Sequence, residues 1–167
     1  MSKNKSLFNV DLVKIENIVI TNARLENKTD ITVLEKNKYE FDIVHTFSIA
    51  INIEERKLRV ISSCQVKTLE RNSKSEIGIW ANFDIAFFFY IENLNELVVG
   101  AGPEFESNTD LIMALSNIAY STSRGIIFTR CQGTIMKSLI MPIMSSEKIM
   151  EMYRLKEAPE KKNNSEL

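Results

Sequence analysis

Residues 39–53 read YEFDIVHTFSIAINI, and the alternation in this stretch decides the fold. Tyr39, Phe41, Ile43, Phe47, Ile49, Ile51 and Ile53 hold the odd positions. Glu40, Asp42, Thr46, Ser48 and Asn52 are the polar members of the even set. Side chains of an extended chain point alternately to opposite faces, so this pattern predicts a strand with one buried and one wet face. A strand of that length spans roughly 50 Å, well beyond the usual five or six residues.

The same period recurs on either side. Glu54, Glu55 and Arg56 make a short turn. Residues 57–69 then return with Leu58, Val60, Cys64 and Val66 on one face, and Arg59, Ser63, Gln65 and Lys67 on the other. Residues 70–76, ERNSKSE, are turn material. A further strand is predicted over 77–91, with Ile77, Ile79, Phe83, Ile85, Phe87, Phe89 and Ile91 pointing one way. Its other face mixes Asn82 and Asp84 with Trp80, Phe88 and Tyr90, which lie either under another part of the chain or under a neighbouring subunit. Upstream, residues 10–25 hold a first strand, and 26–37 form a polar connection. Four such runs predict an antiparallel meander with one apolar and one partly wet face. Its two edges invite pairing, and a closed homo-oligomer is expected.

Helices follow the strands. Ser107-Asn108-Thr109-Asp110 offers a capping-box start. Leu111, Leu115, Ile118 and Ala119 form a helical stripe, and Arg124 and Gly125 predict its end. Residues 126–143 are apolar but fit neither a helical nor a strand period. Ser145-Ser146-Glu147 begins a second helix. Strands first and helices last is the order of an α+β domain with helices on one face of the sheet. The chain is read as one domain over 1–157 with a disordered polar tail over 158–167.

Composition narrows the function. The 167 residues hold 21 Lys and Arg against 22 Asp and Glu. That balance lacks the basic stripe of a nucleic-acid binder. No apolar run is long enough for a membrane span, and the N-terminus lacks the apolar segment of a secretory signal. A cytoplasmic protein is expected. Cys64 and Cys131 are expected to be two buried thiols. His45, the one histidine, lies in line with the apolar set of its strand. It is read as a hydrogen-bonded core residue rather than a general base. No metal site has plausible ligand spacing, and no nucleophile elbow, phosphate loop or dinucleotide fingerprint occurs. Gly100-Ala101-Gly102-Pro103 reads as a loop, and the carboxylate pairs Glu54-Glu55 and Glu104-Glu106 as solvated surface. Six methionines (Met113, Met136, Met141, Met144, Met150 and Met152) lie after residue 112. They either fill an irregular core or offer an adaptable binding surface.

The order and spacing of several segments resemble the SecB family of export chaperones over residues 8–155. They are Phe87-Phe88-Phe89-Tyr90-Ile91 at the end of the fourth strand, Thr122-Ser123-Arg124-Gly125, and Ile140-Met141-Pro142-Ile143-Met144 before the second helix. The resemblance implies a long helix, a crossover loop and a second helix, assembled into a homotetramer that is a dimer of dimers. It implies no enzymatic activity and no cofactor. The expected function is ATP-independent holding of unfolded or precursor polypeptides. Carried over, the client-binding residues are Phe128, Met136, Leu139, Ile140, Met141, Ile143, Ile149 and Met150.

The chain departs from the family pattern in several places, and its tail lacks the family's acidic character. Ile112-Met113-Ala114-Leu115 stands where the family has Phe-Pro-Tyr-Ala-Arg. Met144-Ser145 replaces Asn-Phe. Asn17, Thr21 and Asn82 fall where acidic residues dock the SecA motor, which counts against that partner. A SecB-like chaperone dedicated to one partner such as an antitoxin, or a non-chaperone interaction subunit, is the alternative.

Overall fold

The computed structural model describes residues 8–99 and 106–157. The glycine-rich loop at 100–103, Glu104 and the tail at 158–167 lie outside the described residues.

The four alternating runs are the four long strands: β1 (Val13–Asn27), β2 (Tyr39–Asn52), β3 (Lys57–Glu70) and β4 (Glu76–Ile91). A 3-10 turn, Val10–Leu12, leads into β1. They form one antiparallel sheet. After β4 come α1 (Leu94–Leu97), the two-residue strands β5 (Val98–Val99) and β6 (Glu106–Ser107), α2 (Thr109–Cys131) and α3 (Ser146–Glu157). This is the expected α+β arrangement of a sheet followed by a long helix, a crossover and a second helix.

The strand order corrects the simple meander. The sheet runs β1-β4-β3-β2, so only the last three strands follow one another as neighbours. β1 pairs with β4, from Val13 opposite Ile91 to Asn27 opposite Ile79. Alternation says which side chains share a face but not which strand lies alongside, so this pairing leaves no local trace. The chain then passes from one edge of the sheet to the other along residues 28–38. The Lys28 amide donates to the Gly78 carbonyl at 3.0 Å, and the Arg71 amide to the Lys38 carbonyl at 2.7 Å. Gly78 has φ +76°, and a Cβ there would meet Thr29 Cγ2 at 3.3 Å. Glycine fits both the backbone and the close approach.

The core lies between the sheet and the helices. Leu58, Val60 and Val66 of β3 and Ile79, Phe83, Ile85, Phe87, Phe89 and Ile91 of β4 are buried. α2 packs over β3 and β4, and α3 over β2. β1 lies beyond this cover, so its core-side Ile15 and Ile18 stay exposed. On the opposite face, Trp80 is covered by β1 and the residue after it. Arg24 lies 5.2 Å from its ring centre and Lys28 6.0 Å, and both cations pair with Glu26.

The long helix corrects two expectations. Its N-cap is Asn108, whose side chain accepts from the amides of Asp110 and Leu111. Its C-terminal end is Cys131, not Gly125. A glycine inside a helix costs about 1 kcal/mol, whereas burying an apolar side chain yields roughly 1.5–3 kcal/mol. Ala119, Ser123, Ile127 and Cys131 recur every fourth residue, and all are buried. Continuing past Gly125 adds Ile127 and Cys131 to that stripe, which outweighs the penalty. The left-handed turn comes instead at Gly133, with φ +76°.

Candidate polypeptide-binding groove

Residues 132–145 form the crossover between α2 and α3. They have no regular structure but are tied internally. Thr134 Oγ1 donates to the Cys131 carbonyl at 2.7 Å and accepts from the Met136 amide at 3.1 Å. The Leu139 amide donates to the Met136 carbonyl at 2.8 Å. Two contacts fix the far end: Tyr120 Oη donates to the Pro142 carbonyl at 2.7 Å, and Asn117 Nδ2 to Ser146 Oγ at 3.0 Å.

This wiring divides the apolar side chains of the crossover. Met136, Leu139 and Met141 turn inward into the core, and Met141 is only 3% exposed. Ile140 and Ile143 turn outward, at 68% and 85% exposure. The segment is apolar in sequence because both its sides are apolar.

The outward side borders two hollows of ≈ 270 and ≈ 290 Å³. The first lies between the start of β2 and the crossover, with Leu34, Tyr39, Phe41, Ile43 and Ile140 among its walls. The second lies between the β1–β2 connection and the start of the crossover, with Val33, Leu34, Thr134 and Ile135. Leu34 and Ser138 line both, so the two hollows lie side by side across the end of the sheet, and together they are the candidate groove.

The eight residues assigned to client binding divide as follows. Ile140 lines the groove. Ile143 is exposed further along the crossover, and Phe128 is exposed on α2, at 47%. Met136, Leu139, Met141 and Ile149 are buried. Met150 lies on α3, and its side chain is outside the described residues. Sequence reasoning missed Val33 and Leu34. Residues 26–37 read as a polar connection, although Ile31, Val33 and Leu34 stand among their polar neighbours.

The titratable core groups lie away from the groove walls. His45 is buried, with Nε2 2.9 Å from Ser62 Oγ. Its ring meets Phe47 and Tyr120 edge-on. Burial pushes the imidazole down to about 4, so it stays neutral at pH 7. It is the hydrogen-bonded core histidine that its place in the strand predicts. Both cysteines are free and buried, and burial pushes the Cys64 thiol up to about 12, far from a reactive thiolate. Among the described residues no group of three or more His, Cys, Asp or Glu is placed to hold a metal, and no helix is long and apolar enough to cross a membrane.

No protein-family model and no curated protein matches the sequence. Among solved structures, the chain resembles the SecB-like chaperone Rv1957 of Mycobacterium tuberculosis, solved in complex with a peptide from the HigA1 antitoxin. The TM-score is 0.56 at 12% identity, over 81% of this chain and 93% of that one. A protein of unknown function from Streptococcus agalactiae aligns with a TM-score of 0.39 at 10% identity, over 80% of this chain and 96% of that one. The first likeness shows that the fold is SecB-like.

Proposed function

We propose that this chain is an ATP-independent chaperone that holds unfolded or precursor polypeptides along the groove beside the crossover. The observation that carries this reading is the exposure of Val33, Ile140 and Ile143 at and beside two adjacent hollows whose walls include Leu34, Phe41, Ile43 and Ile135. The SecB-like fold supports it, as does the neighbour of that fold that binds a peptide. In this reading Ile140, Ile143 and Phe128 meet the client. Met136, Leu139, Met141 and Ile149 form the floor that holds them out, and Met150 of α3 is assigned to the client as well.

The mechanism is physical. Each Å² of apolar client surface removed from water yields roughly 25 cal/mol, and ordering the client offsets much of this. Useful affinity then comes from several weak sites on one assembly. We assign the protein to a cytoplasmic homotetramer, a dimer of dimers. The uncovered Ile15 and Ile18 on the edge strand β1 support pairing between subunits. No catalytic step or cofactor is needed. SecA docking is disfavoured because Asn17, Thr21 and Asn82 supply no carboxylates on the sheet.

A second reading, dedication to one partner such as an antitoxin, is favoured by the antitoxin peptide bound to the neighbour. The test is suppression of aggregation of a denatured protein without ATP, wild type beside Ile140→Asp/Ile143→Asp. Loss of protection in the variant, with an unchanged melting temperature, supports general holding. Equal protection by both proteins overturns the assigned surface. No protection of any client, together with tight binding of one cognate segment, establishes the dedicated role.

A further inference from the structure

The charges around the groove are less balanced than those of the chain, whose formal net charge is -1. Two carboxylates line it, Glu35 and Glu40. Each is already paired: Glu35 with Lys38 at 2.9 Å, and Glu40 with Lys74 at 2.6 Å. Those pairs hold the Lys38 ammonium above and the Glu40 carboxyl below their usual ranges. Three cations line the groove as well, Lys36 and Arg71 at one hollow and Lys137 at the other. Among the described residues, none of the three is in an ion pair. The Arg71 guanidinium donates to the Lys36 carbonyl at 3.3 Å. The groove therefore presents apolar walls, carboxylates that already face cations (Glu40 faces Arg71 as well as Lys74), and at each hollow a lysine, Lys36 or Lys137, that is in no ion pair among the described residues.

We infer that the groove selects extended polypeptide segments in which an apolar core is flanked by acidic residues. The inference rests on the proposed holding function and adds the chemical class of client. Apolar side chains of the segment would enter the two hollows over Leu34, and its carboxylates would meet Lys36 and Arg71 on one side and Lys137 on the other. Charges at a partly exposed rim contribute modestly to affinity but discriminate between partners, because like charges repel where opposite ones attract. A nucleic acid would also answer the positive charge. Tyr39 and Phe41 stand among the walls of the first hollow, but the second has no aromatic residue, so a run of bases would lack a continuous row of stacking platforms.

The test uses the full chain and labelled peptides that share a Leu-Phe-Leu-Ile core flanked by glutamates, lysines or serines. Binding is followed by fluorescence anisotropy. The glutamate peptide should bind about tenfold tighter than the lysine peptide at low salt, with the serine peptide between them. High salt should close most of that gap. Lys36→Glu/Lys137→Glu should reverse the order of the charged peptides. Equal binding of all three peptides overturns the charge preference but leaves the holding function standing. Failure of all three to bind overturns both. An oligonucleotide that displaces the glutamate peptide at equal concentration also overturns the inference, in favour of a polyanion site.

Discussion

The hydroxyl of Ser123 on α2 donates to that of Ser62 on β3 at 2.8 Å, inside the core. Ser62 also reaches His45 on β2, so one short polar chain joins the helix to two strands. Buried hydroxyls without partners cost about 1–3 kcal/mol each. Ser62→Ala strands two partners and Ser123→Ala only one. Ser62→Ala should therefore lose about 2–3 kcal/mol and Ser123→Ala about 1–2 kcal/mol, read from urea midpoints. Equal losses would mean that His45 does not depend on Ser62.

His45 sets a pH dependence. Its folded value lies at about 4, below the unfolded value near 6.5. The unfolded chain therefore binds the proton more readily, and acid favours unfolding. The stabilisation is complete above about pH 6.5 and is lost as pH falls towards 4, amounting to about 3 kcal/mol. Urea unfolding at pH 7 and at pH 4.5 should show this loss in wild type and a smaller one in His45→Gln. Parallel profiles would remove His45 from the account.

Two glycines should respond in opposite directions. Gly125 lies inside α2 with nothing within 4 Å of a built Cβ, whereas Gly133 has φ +76°. Gly125→Ala should stabilise by about 0.5–1 kcal/mol, and Gly133→Ala should destabilise by about 1 kcal/mol. Thermal melts of the two variants side by side check this. A destabilised Gly125→Ala would place the helix end back at that residue.

The crossover should separate into structural and surface positions. Ile143→Asp alters an exposed side chain and should stay within about 0.5 kcal/mol of wild type. Met141→Asp puts a carboxylate into the core and should lose more than about 3 kcal/mol. Tyr120→Phe removes the hydrogen bond to Pro142, should lose about 1 kcal/mol, and should speed amide exchange at Leu139 most of all. Unchanged exchange there would show that the tyrosine does not hold the crossover in place.

The strands were legible because each buries one face, and burial writes itself as alternation. β2 and β4 begin and end within a residue of where the pattern places them. Their order was not legible, since Phe87 and Phe89 alternate in the same way whatever lies beside them. Gly125 misled because a strong local signal was weighed without Ile127 and Cys131 downstream. His45 was legible as core from its odd position. The groove was half legible. An aperiodic apolar segment says that contacts exist but not which way each side chain turns. Ile140 and Met141, adjacent and both apolar, lie on opposite sides of the crossover.

β1 is translated first and paired last. Its neighbour in the sheet is the fourth strand, so every intervening hairpin must leave the ribosome before Ile15, Ile18 and Ile20 have a ladder to join. The nascent chain thus carries a bare, sticky segment through most of its own synthesis. Sequence changes that slow β4 are expected to raise losses to aggregation and proteolysis at birth more than they weaken the finished molecule.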